Sequence, residues 1–113
     1  MKFLSIYKTV ETGKPPSMEE MAKMGKLIED SMKAGLLLGT EGCLPSAKGA
    51  RVRITQGNIS VTDEPFTEAK EVVGGFALIK ANSKAEAIAY TKQFLEVVGQ
   101  GECEIRQLYE PGE

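Results

Sequence analysis

"VVGGFALIKANSKAEAIAYTKQFLEVVGQGECEIRQLY", residues 72–109, decides the fold. Its first ten residues are rich in Val, Phe, Leu and Ile and read as a strand. "SKAE" (83–86) then has the capping-box form, in which Ser83 accepts from the amide three residues on and Glu86 reaches back. Ile88, Thr91, Phe94, Leu95 and Val98 recur at helical spacing and line one face. Gly99 supplies a left-handed terminator. "CEIRQLY" (103–109) reads as the next strand, so the stretch is one β-α-β unit.

The same design stands upstream. "KFLSIYK" (2–8) reads as a strand and "SMEE" (17–20) as a second capping box. Met21, Met24, Leu27, Ile28 and Met32 form the apolar stripe, Lys33 sits in the last turn, and Gly35 ends the helix. A short "LLL" (36–38) follows as a strand. Between the two units, "ARVRIT" (50–55) and "ISVT" (59–62) flank Gln56, Gly57 and Asn58. That is a hairpin signal with Gly and Asn to take positive φ. The predicted class is α+β: a ferredoxin-like βαββαβ antiparallel sheet with two helices on one face. A doubly wound parallel sheet would need more βα repeats than the chain holds. One domain over residues 1–113 is expected, with "VETGKPPS" (10–17) as a loop and "EPGE" (110–113) as a tail.

Composition sets the limits. The chain has 113 residues, a net charge of −2 and no histidine. Interspersed signs argue against nucleic acid as a direct partner and against a basic membrane patch. No run approaches the ~18 apolar residues of a membrane span. The N-terminal apolar run meets Lys8 too soon for a signal peptide, so a cytoplasmic protein is expected. Without histidine, a zinc site or a Ser-His or Cys-His pair is not expected, and no cofactor is implied. Cys43 and Cys103 read as small, half-buried hydrophobes in a reducing compartment.

Both faces of the predicted sheet are apolar. Leu4 and Ile6 share one face of the first strand, and Phe3 and Tyr7 the other. In the strand before the second helix, Val73, Ala77 and Ile79 oppose Val72, Phe76 and Leu78. Two helices cover one face only, and an uncovered apolar face is an aggregation liability. A homodimer packed sheet to sheet is the economical solution, with Phe3, Tyr7 and Phe76 expected in or near the interface.

"VTDEPFTEAKEVVGGFALI" (61–79) resembles the Asp-Gly-Pro-Phe signature of the YCII-related, or DGPF-domain, family of small bacterial proteins. "SMEEMAKMGKLIEDSMKAGLLLGTEGCLPS" (17–46) is similar to that family's Ser-Pro-Glu-Glu helix and its Ala-Gly-x-Leu and Gly-Glu-Gly-Leu segments. "RVRITQGNISVTD" (51–63) is similar to its Arg-containing hairpin. The resemblance implies a ferredoxin-like dimer of the dimeric α+β barrel kind. It implies no single reaction: relatives of the fold include muconolactone-isomerase-like enzymes, monooxygenases and non-catalytic modules. Some family members are fused or adjacent to sigma factors, which implies a regulatory link. Two departures stand out. Glu64 replaces the family's glycine, at a pre-proline position whose extended geometry Glu accepts. Met24 lies near where many members carry a helix histidine, the base of a proposed His-Asp pair.

Five residues are candidates for a site. Asp63 is either a carboxylate aimed into a cleft, and so the proton-transfer group, or an Asx cap for its own turn. Arg53, sharing a strand face with Arg51, is either an anion clamp or a solvent-facing ion pair. Lys70 either neutralises Asp63 or binds an anion, or else belongs with Glu71 to a solvated turn. Glu41, between glycines in "GTEGC", lies in an expected loop, and Tyr7 completes the set. Phe66 reads as a core plug under the loop. The expected function is small-molecule binding, of an anionic ligand for instance, in a cleft near Asp63 and Arg53, non-catalytic or regulatory. The alternative is a lyase- or isomerase-like enzyme acting on a small carboxylate or lactone through Asp63.

Overall fold

Both serines cap helices. Ser17 accepts from the Glu20 amide at 3.1 Å and opens α1 (Met18–Lys33). Ser83 accepts from the Glu86 amide at 3.1 Å and opens α2 (Lys84–Val98). Each bond satisfies a first-turn amide that has no intrahelical partner. Gly35 at φ +76 and Gly99 at φ +80 turn the chain out of the helices. The structure is a computed structural model that describes residues 1–63 and 71–112. Phe66, Lys70 and the corner beyond Asp63 lie outside the described residues.

Four strands, β1 (Lys2–Thr9), β2 (Leu37–Gly42), β5 (Val72–Lys80) and β6 (Glu102–Gln107), pair antiparallel in the order β2-β5-β1-β6. This is the ferredoxin-like α+β arrangement. β3 (Arg51–Thr55) and β4 (Asn58–Thr62) form a separate two-stranded ribbon. Its turn takes positive φ at Gln56 (+50) and Gly57 (+83), a two-residue turn that leaves Asn58 as the first residue of β4. β2 also runs further than expected, so Glu41 is a strand residue opposite Phe76 rather than part of a loop.

α1 and α2 cover one face of the four-stranded sheet. Phe3 and its cross-strand partner Ile79, each 1% exposed, anchor the core with Leu37, Ala81, Ala87 and Tyr90. The inward stripe of α2 keeps Thr91, Phe94, Leu95 and Val98 as expected and adds buried Ala87 and Tyr90, while Ile88 sits at the rim. The expected interface residues need correction. Phe3 is under the helices, and so is Tyr7, whose ring packs edge-on against Phe94 of α2 with centroids 5.1 Å apart. Period-two alternation groups residues by face without saying which face the helices take.

The open face therefore carries Leu4, Ile6, Leu78 and Phe76, the last 39% exposed. Val73 joins them, because the register shifts between Tyr7 and Lys8 and places Val73 opposite Lys8. The extra residue in that bulge is Gly74, and one extra residue moves the neighbouring side chains to the other face. Among the described residues no helix is long and apolar enough to cross a membrane.

Candidate functional site

A cleft of about 570 Å³ lies between the helices and the covered face of the sheet. Its floor is small: Ser5, Gly75 and Ala77 leave unfilled the space beneath the first turns of α1. α1 accordingly stands off at that end, where Met21 is 55% exposed, and settles onto the core further along through Leu27 and Ile28. Met21, Met24 and Ile28 of α1 face Tyr90, Phe94 and Val98 of α2 across the opening.

The glycines hold this floor in place. A Cβ on Gly75 would stand 2.7 Å from the Glu41 carbonyl oxygen, so β5 and β2 meet this closely only without a side chain. Tyr7 occupies a slot between two more. A Cβ on Gly74 would meet its ring at 3.0 Å, and one on Gly101, at φ +109, would press on the other side of the ring. The Tyr7 hydroxyl donates to the Gln100 carbonyl at 2.8 Å.

Three hydroxyls around the cleft share one feature. Thr40 donates to the Phe76 carbonyl at 2.8 Å and Thr91 to the Ala87 carbonyl at 2.8 Å. With Tyr7, that makes three hydroxyls whose protons are committed to backbone. A hydroxyl oxygen keeps acceptor capacity after donating, so toward a ligand these groups present lone pairs. Cys103 lies at the same floor, half-buried beside Ser5. Burial pushes its thiol pKa up, which outweighs the opposing effect of Ser5 and keeps the sulfur protonated at neutral pH. Among the described residues, Glu20 brings a charged side chain to the cleft, whereas Glu41 borders it with its carbonyl and shares the open face with its partner Phe76.

Of the five sequence candidates, Tyr7 lines this cleft with its side chain and Glu41 with its backbone. Arg53 and Asp63 belong to the ribbon and its exit, are exposed, and do not line it. Lys70 lies outside the described residues. Cys43 is exposed, where the sequence suggested half burial. Ser5, Thr40, Tyr90, Phe94 and Cys103 were missed as site residues. Ser5 carried a readable signal, a small polar residue between Leu4 and Ile6 in an apolar strand.

A second hollow marks the root of the ribbon, where Lys8, Arg51, Glu71 and Val73 meet. Lys8 Nζ is 3.1 Å from Glu104 Oε1, and Arg106 Nη1 is 3.2 Å from Glu104 Oε2. The Lys8 hydrogen bond, then that of Arg106, holds the Glu104 carboxyl below its ordinary value, and Glu104 raises Lys8 in return.

Comparison with known proteins gives a family and a fold. A sequence model of the YCII-related domain matches residues 1–110. Uncharacterized protein R00369 of Rhizobium meliloti (strain 1021) is 34% identical over 85 residues, covering 73% of this chain and 68% of that protein. Among solved structures, the chain matches 5-chloro-2-hydroxyhydroquinone dehydrochlorinase (TftG) from Burkholderia phenoliruptrix AC1100, in complex with 2,5-dihydroxybenzoquinone. The TM-score is 0.51 at 14% identity, over 96% of this chain and 94% of that one. At that identity the likeness is one of fold.

Proposed function

We propose, from the premise that the chain belongs to the YCII-related domain family, that it is a small-molecule-binding protein. The ligand occupies the cleft between α1, α2 and the sheet, and the protein acts as a homodimer closed over the open sheet face. The observation that carries this reading is the lining of the cleft: apolar and aromatic walls with hydroxyl oxygens whose protons are already committed. Such a site favours a small ring compound that itself donates hydrogen bonds, because ligand donors would otherwise lose water without replacement. Glu20 at the rim favours a neutral ligand over the anion suggested by Arg53 and Lys70.

A second reading has one observation in its favour, the fold shared with a dehydrochlorinase. In that reading the chain is a lyase- or isomerase-like enzyme, and Asp63 moves the proton. Asp63 does not line the cleft of its own chain, so it would have to act in a site assembled with a second copy.

Titration with hydroquinone and with 1,4-dimethoxybenzene, followed by methyl NMR, tests the first reading. The expected result is shifts at the Met21 and Met24 methyls, with the dimethyl ether binding at least about tenfold more weakly, the cost of unpaired acceptors. Equal affinity for the two compounds, or shifts confined to other methionines, would overturn it. Chloride release from chlorohydroquinone, lost on Asp63→Asn, is what the second reading requires.

A further inference from the structure

We infer that the β3–β4 ribbon is a docking arm, and that its apolar face is covered by a second copy of this chain. The inference rests on the proposed homodimer and adds to it the element that completes the interface.

The ribbon is apolar on one face only. Val52 pairs with Val61 and Ile54 with Ile59, so the four branched side chains lie together. They are 70%, 61%, 67% and 68% exposed, respectively. Arg51, Arg53, Ser60 and Thr62 take the opposite face. An isolated two-stranded ribbon is marginal in water, and its apolar face gains stability only by packing on something.

The shape of the chain points the same way. Its radius of gyration is 15.9 Å, against about 13 Å for a compact domain of this length. The extents of 44 × 43 × 18 Å describe a slab with two broad faces. The ribbon springs from the edge of the open sheet face, since the hollow at its root is lined by Arg51 together with Lys8 and Val73 of that face. The ribbon therefore roots beside the open face, and one two-fold axis can close the apolar patches of both.

Area favours the sheet with its arm over the sheet alone. Four strands at ~4.8 Å spacing and six residues at ~3.3 Å give a planar footprint of roughly 400 Å². Two such faces give a footprint of roughly 800 Å², a lower bound on the surface buried and at the small end for a specific interface. The ribbon adds roughly 160 Å² per copy, which takes the contact past the ~1,000 Å² that a specific interface needs. Arg53 and Asp63 travel with the arm, so a site that used either residue would be built from both copies.

Sedimentation equilibrium on the full chain tests the arm with two variants. In Ile54→Asn/Ile59→Asn the changes fall on exposed positions, so each chain keeps its fold, checked by circular dichroism. Phe76→Glu disrupts the sheet face alone. The expected result is a dimer for the wild type, and a dimer Kd raised by about a hundredfold or more in the ribbon variant. Hydrogen exchange at the amides of β3 and β4 should slow as concentration rises through the wild-type Kd. A monomeric wild type would overturn both the arm and the homodimer. A ribbon variant that dimerises as tightly as wild type, while Phe76→Glu is monomeric, would overturn the arm and leave the sheet dimer standing.

Discussion

Replacing Gly101 by alanine tests how tightly the Tyr7 slot is built. Two costs combine at this position. Its φ of +109 lies in a region that side chains rarely adopt, which costs about 1–2 kcal/mol for a residue with a Cβ. The added Cβ would also stand 2.8 Å from the Lys8 carbonyl oxygen and 2.9 Å from Tyr7 Cζ, closer than real contacts allow. Relief by backbone or ring movement costs about 1–3 kcal/mol more, the usual range for overpacking. The total of about 2–5 kcal/mol is a large share of the roughly 5–15 kcal/mol typical of a small domain. A fall in Tm of roughly 10–20 °C is expected for a chain of this size. Gly99→Ala is the internal control. Gly99 has φ +80 but nothing within 4 Å of its added Cβ, so it isolates the conformational cost. Thermal melts followed by circular dichroism give both numbers. If Gly101→Ala melts no lower than Gly99→Ala, the reasoning about the slot is wrong.

Two further outcomes concern titratable groups. Glu11 accepts hydrogen bonds from the Ser46 amide and from its hydroxyl, the latter at 2.8 Å, and these hold its carboxyl below the ordinary value, the amide bond contributing most. A lowered folded-state pKa stabilises above the unfolded value and loses that effect as pH falls through the folded value. The difference in urea midpoint between wild type and Glu11→Gln should therefore be constant near neutrality and shrink in acid; a difference that does not change with pH would refute the assignment. Cys103, its thiol pushed up mainly by burial, should react with iodoacetamide near neutral pH far more slowly than exposed Cys43. Equal rates, read by mass spectrometry of the two peptides, would contradict the burial of the thiol.

The legible parts of the molecule were those fixed by neighbours in sequence. Ser17 and Ser83 cap their helices because an N-cap involves a side chain and an amide three residues away. Gly57 turns the hairpin for an equally local reason, and the order of strands and helices comes from patterns of period two and 3.6. The candidate site was less legible. Tyr7 and Glu41 were found, but Ser5, Thr40, Phe94 and Cys103 meet only because β1, β2, α2 and β6 pack together. The commitment of three hydroxyl protons to backbone carbonyls could not be read from a list of residue types.

Sequence alone determined that this chain makes two β-α-β units around a hairpin and that the two central strands of its sheet are apolar on both faces. Tertiary structure alone decided which face the helices cover. Phe3 and Tyr7 went under them and Leu4 and Ile6 did not, a choice to which alternation is blind. It also decided that Val73 changes sides, through one extra residue at Gly74, and that Asp63 and Arg53 stand away from the cleft of their own chain. The reason is common to all three. Pattern and capping depend on bonds a few residues long, whereas faces, bulge register and cleft lining depend on which distant segments meet.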